Sequence, residues 1–170
     1  MKLIILAGVI IAFASIGFQI KNKYVKQKEF LVFLESFLNY LYLNISIYKN
    51  NLDEIINNYL IQQNIKNAKY VKFILKNDNL KRFDEKLLND YIYNEELKNQ
   101  INIYFNGLGK GTVQSECENA KYILACVKSN IAKTNEDIKQ KGDLYFKIWL
   151  AVGVVVDIIL WWLYEYFSFI

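Results

Sequence analysis

Two apolar runs, one near each end, limit what this chain of 170 residues can fold into. The first, Leu3 to Ile20 (LIILAGVIIAFASIGFQI), has 18 residues and no charge, the lower edge of a bilayer crossing. The second, Ile148 to Leu163 (IWLAVGVVVDIILWWL), carries one charge, Asp157. At its far end Trp161, Trp162, Tyr164 and Tyr166 form an interfacial aromatic belt. In hydrocarbon a helix satisfies its own backbone groups, so residues 3–20 and 148–166 are predicted to be transmembrane helices. Ala12-Phe13-Ala14 also suits a signal-peptide cleavage site. However, only Lys2 precedes the run and apolar residues continue past that site, so a retained span is the reading adopted.

The lysines set the expected topology. Lys21, Lys23, Lys26 and Lys28 follow the first run, and Lys133, Lys139, Lys141 and Lys147 precede the second. Lys2 is the one lysine on the far side. By the positive-inside rule, residues 21–147 are expected in the cytoplasm, with both termini outside the cell membrane. Lysine carries nearly all the positive charge; Arg82 is the single arginine, so the bidentate base contacts of nucleic-acid readers are not available. An anionic lipid surface fits the net charge of +4 better.

The chain lacks histidine, which removes most nucleophile–base triads and the commonest metal ligand. No catalytic, cofactor-binding or metal-ligating residue is expected. Cys117 and Cys126 stand nine residues apart, about 13 Å along one helix, too far for a disulfide. Both read as small core residues. Asp157, near the middle of the second run, is expensive in a bilayer and is a functional-site hypothesis by default. The plainer reading is a hydrogen-bonded acid in a helix contact, with Ser15, Gln19 or a second subunit as partner. Gly8 and Ala12, four apart, offer a small face for close helix approach.

The expected fold is all-α: a six-helix cytoplasmic bundle flanked by an N-terminal and a C-terminal transmembrane helix. Proline is absent, so no ring clash breaks a helix. Lys26–Tyr48 is apolar enough to span a membrane, but Glu35, Asn39, Tyr42 and Ser46 recur at four, three and four. That stripe indicates a buried core helix with one polar face. Further helices are predicted at Asp53–Gln63, Ala68–Leu75, Asp84–Tyr91 and Glu95–Asn106. Gly107-Leu108-Gly109-Lys110-Gly111-Thr112 is not a phosphate loop, because Tyr104 and Gly111 occupy the places a Walker motif reserves for Gly and Ser/Thr. Its glycines are read as ending one helix and Thr112 as capping the next. In that last helix Val113, Cys117, Ala120, Leu124, Val127, Ile131, Thr134 and Ile138 alternate by four and three. This seam packs lengthwise on a partner, either the first central helix or a second copy.

The layout resembles the stage III sporulation protein AB family of endospore-forming bacteria. The likeness rests on Ala14-Ser15-Ile16-Gly17-Phe18, on Ile45-Ser46-Ile47-Tyr48 with Leu52 and Glu54, on Leu108-Gly109 before Thr112, and on Asp143-Leu144-Tyr145 with Leu150-Ala151-Val152-Gly153. Asp157 has no counterpart in the family's apolar span. The resemblance implies a cytoplasmic domain similar to the F-type inner-membrane platform proteins of type II secretion and type IV pilus systems. It also implies a place in a channel-like complex needed for spore maturation. The implied partners are other channel membrane subunits and a cytoplasmic secretion-type ATPase similar to stage III sporulation protein AA. The competing reading is a self-associating membrane scaffold without an ATPase. A carrier or enzyme working through Asp157 has little chemistry around that residue to support it.

Overall fold

The computed structural model describes residues 2–48, 52–62, 70 and 85–168, and among them every regular element is helical. In order they are α1 (Lys2–Leu43), a π-turn (Asn44–Tyr48), α2 (Leu52–Gln62), α3 (Glu85–Tyr91), α4 (Glu95–Gly107), α5 (Val113–Asp137), a second π-turn (Ile138–Gly142) and α6 (Asp143–Ser168). The helix expected at Ala68–Leu75 lies outside the described residues, apart from the buried Tyr70.

Two expected breaks are absent. The first apolar run and the first central helix are one helix, α1, of 42 residues. The short stretch between them, residues 21–25, holds neither glycine nor proline, so nothing interrupts the ladder. Gly142 and Asp143 are only a weak separator between the seam helix and the second run. There the chain passes through a π-turn, which widens one turn without ending the helix.

The chain divides into two compact units, residues 27–133 and residues 1–26 with 134–170. The first unit is built on the second half of α1. Phe30, Leu31, Leu34, Phe37, Leu38 and Leu41 are fully buried, following helical spacing. Phe30 meets Tyr70 and Tyr91, and Phe37 meets Tyr59 and Phe105, with ring centroids 4.9–6.2 Å apart. One helix face thus touches α2, α3 and α4. The polar stripe faces elsewhere: Asn39 is exposed and Glu35 half-buried.

α5 lies along α1 in the opposite direction. Lys128 reaches Glu35 at 3.9 Å, and Lys121 sits 5.3 Å from the Tyr42 ring centroid. The two contacts step seven residues up α1 and seven down α5. The seam therefore packs within the chain: Ala120, Leu124, Val127 and Thr134 are buried, and Cys117, Ile131 and Ile138 are half-buried. Val113, the first residue of α5, is exposed and stands outside the contact. Both cysteines are free, and both pack against the core.

Phe37→Ala is expected to cost about 3–5 kcal/mol, while Asn39→Ala on the exposed side stays within about 0.5 kcal/mol. Urea unfolding of the full chain in mild detergent, read by near-ultraviolet circular dichroism, checks both. A Phe37→Ala cost below about 1 kcal/mol would contradict the core assignment.

Candidate functional site

The unit formed by residues 1–26 and 134–170 is a pair of helices with little protein around them. α6 contains an 18-residue window long and apolar enough to cross a membrane, and only 6% of that window is buried. A core helix of that hydrophobicity would be covered on all sides; here Ile148, Val155, Ile158, Ile159, Trp161 and Trp162 all stand exposed.

One face of α6 does meet α1. Gly142 of the preceding π-turn and Phe146, Trp149, Gly153 and Val156 of α6 repeat by four and three, and all five are buried or half-buried. Glycine sets the approach. A Cβ on Gly17 would come 2.9 Å from the Phe146 Cα, and one on Gly153 would come 3.1 Å from the Phe13 Cβ. Between these contacts Phe13 stacks on Trp149 at 5.9 Å. Gly142 is covered by Lys21, whose Cγ lies 3.3 Å from where a Cβ would stand. Gly8 and Ala12, the pair singled out in the sequence, are exposed, and a Cβ on Gly8 would meet nothing within 4 Å. The close approach is made by Gly17 of α1 against Phe146, and by Gly142 and Gly153 against Lys21 and Phe13 of α1.

Lys21 also donates a hydrogen bond to Asp143 Oδ1 at 2.7 Å. That bond and the lysine charge hold the Asp143 carboxyl below its ordinary 3.8. A carboxylate lowered on folding stabilises fully at neutral pH, and the effect is lost only as pH falls through the lowered value. Both side chains are partly exposed, so the contribution is small and screened by salt. Lys141 pairs with Asp137 at 2.7 Å one turn away. Lys23, Lys26, Lys139 and Lys147 are exposed and Lys28 is half-buried.

Asp157 is 9% exposed, and its Oδ1 has no hydrogen-bond partner among the described residues. It lines an open apolar cleft of about 270 Å³ with Ile10, Val154, Ile158 and Trp161. Neither of the partners expected within the chain bonds to it: Ser15 donates to Ile11 O of its own helix at 2.7 Å, and Gln19 is exposed.

In the other unit, the glycine turn Leu108–Thr112 joins α4 and α5. Gly109 has φ 77°, a left-handed conformation that glycine takes without strain. Thr112 caps α5, its Oγ1 accepting from Ser115 N at 3.3 Å. Glu116 stands in the first turn of α5, where its charge suits the helix dipole. It does more: Gly109 N and Gly111 N both donate to Glu116 Oε1 at 3.0 Å. The amides that a phosphate would need are thus held by the chain's own carboxylate. The signal was present as Thr-x-x-x-Glu, one residue longer than a capping box. Among the described residues no group of three His, Cys, Asp or Glu gathers as metal ligands would.

A family model described as stage III sporulation protein AB matches residues 2–161. The chain belongs to that family. No curated protein and no solved structure matches it. The match takes in α1, the glycine turn, α5 and most of α6, and it stops at Trp161, before the end of the aromatic belt. This family member is thus a stage III sporulation protein whose α6 is apolar enough to cross a membrane.

Gly17→Val is expected to disrupt the α1–α6 contact and lower the melting temperature of the full chain in detergent by several degrees. Gly8→Val is expected to leave it unchanged. Equal melting for both variants would contradict the glycine contact.

Proposed function

We propose that this chain is a non-catalytic platform subunit of a sporulation channel or secretion-like complex, anchored in the cell membrane and engaging a cytoplasmic secretion-type ATPase. Family membership over residues 2–161 supports the sporulation role. The single observation that carries the platform reading is the split character of the helices: only 6% of the apolar window in α6 is buried, while the described residues of 27–133 hold the buried core. On this reading residues 3–20 and 148–166 are the two spans. Lys21, Lys23, Lys26, Lys28, Lys139, Lys141 and Lys147 keep the central residues cytoplasmic, and the two chain ends lie outside. The helical domain, resembling F-type platform proteins, presents its surface to the ATPase and other channel subunits.

The scaffold reading loses its main support, because the seam of α5 packs inside the chain. Self-association keeps one route, through the outward-facing Gly8 and Ala12. Asp157 serves as a packing residue on this reading, its carboxylate facing a neighbouring membrane helix.

The test is retention of partners on the tagged full chain, solubilised in mild detergent from cells entering stage III. A cytoplasmic secretion-type ATPase retained in near-equal amount is the expected outcome. Retention of the chain's own copies and nothing else would favour the scaffold and sink the platform reading.

A further inference from the structure

α4 and α5 form an antiparallel hairpin, tied by Asn94 to Asn130 at 3.1 Å and by Gln100 to the Tyr122 hydroxyl at 3.3 Å. Toward the glycine turn the two helices part around a cleft of about 400 Å³. Its lining includes Ile103, Tyr104, Glu116, Tyr122 and Ile123. Three features of this cleft leave binding capacity that the hairpin itself does not use.

The first is the Glu116 carboxylate. The residue is 8% exposed and its Oε1 is fixed by two backbone amides. No donor among the described residues meets Oε2. The second is Tyr104, also 8% exposed, whose buried hydroxyl has no hydrogen-bond partner among the described residues. Burial, and next the Glu116 charge, push its pKa up, so it stays a neutral hydroxyl at any physiological pH. The third is the rim, where Ile103 and Tyr122 are 74% and 60% exposed, facing solvent from opposite helices.

The one charged residue lining the cleft, Glu116, is acidic although the chain is basic. Glu96 and Glu118 are exposed on the same hairpin, each accepting only from a glutamine of its own helix. The nearby lysines are turned away: Lys98 binds Glu95 and Asn89, and Lys121 covers Tyr42. Lys110, in the turn itself, makes no ion pair among the described residues. A buried, pre-oriented carboxylate with an apolar wall and an unused hydroxyl suits a long cationic side chain. Its stem covers the apolar rim and its head meets the acid.

We propose that this cleft is a docking site for a partner protein that inserts an arginine or lysine side chain next to an apolar residue. The cation pairs with Glu116 Oε2, the Tyr104 hydroxyl accepts a further hydrogen bond, and Ile103 and Tyr122 close over the aliphatic stem. This deepens the docking reading above by naming the surface and the chemistry it accepts.

The test uses the full chain in detergent micelles and follows the Gly109 and Gly111 amide resonances, which report on the carboxylate that holds them. The probe is N-acetyl-leucyl-arginine amide, with the citrulline analogue as its uncharged match. The expected result is a saturable shift with the arginine peptide in the millimolar range, weakened at least ten-fold by Ile103→Ser or Glu116→Gln and absent with citrulline. Ile103→Ser alters an exposed side chain and leaves the turn intact, so it decides the matter even if Glu116→Gln unfolds the hairpin. Equal shifts with both peptides, or none, would overturn the proposal. Shifts that appear on concentrating the chain alone would assign the cleft to a second copy and overturn it too. If the unaltered chain retains an ATPase and Ile103→Ser retains it equally, the cleft is refuted while the platform reading stands. If the unaltered chain retains none, that reading fails and the peptide titration alone decides the cleft.

Discussion

Residues 27–133 depend on one helix face. Phe30, Leu34, Phe37 and Leu41 on α1 are fully buried, and their aromatic members contact Tyr59, Tyr70, Tyr91 and Phe105 from four other parts of the chain. Each such ring removes a large apolar area from water, which is the dominant favourable term in a domain of this size. α2, at 11 residues, and α3, at 7, are too short to hold as isolated helices. Their stability comes from docking on α1. The antiparallel α5 covers another side, its charged contacts to Glu35 and Tyr42 fixing register more than adding energy.

On the proposed membrane reading, the pairing of α1 with α6 obeys a different rule. Where lipid replaces water, apolar side chains gain nothing by leaving their surroundings, and association rests on close backbone packing. Gly17 and Gly153 permit that approach, and the stacked Phe13 and Trp149 fill the space between them. Asp157 stands apart from both rules. It is buried, faces an apolar cleft and has an oxygen without a partner. An acid so placed in a membrane helix is expensive unless a neighbour satisfies it, which is why the platform reading gives it a helix from another subunit.

Much of this was legible in the sequence, because strong periodicity survives tertiary context. The polar stripe at Glu35 and Asn39 distinguished a core helix from a third span. The four-three spacing from Cys117 to Ile138 marked a lengthwise contact, and Thr112 marked a cap. The unread parts share a cause: the relevant information is relational. Gly8 and Ala12 have the spacing of a contact face, but which small residues meet a partner depends on the rotation of both helices. The continuity of α1 and the π-turn at Ile138–Gly142 depend on the absence of a breaker, a weaker signal than its presence. Glu116 folding back onto Gly109 and Gly111 requires the left-handed Gly109, and any of several glycines in that turn could have supplied one.

The central claim is that two spans anchor a cytoplasmic docking domain, and membrane-sided cysteine labelling tests it most directly. Cys117 and Cys126 would be replaced by alanine, and single cysteines placed at the exposed Ser129 of α5 and at Ser168, the last residue of α6. The account predicts that an impermeant maleimide labels Ser168→Cys on intact cells and reaches Ser129→Cys only after the membrane is opened. Labelling of Ser129→Cys on intact cells, or recovery of the chain in the soluble fraction, would contradict it.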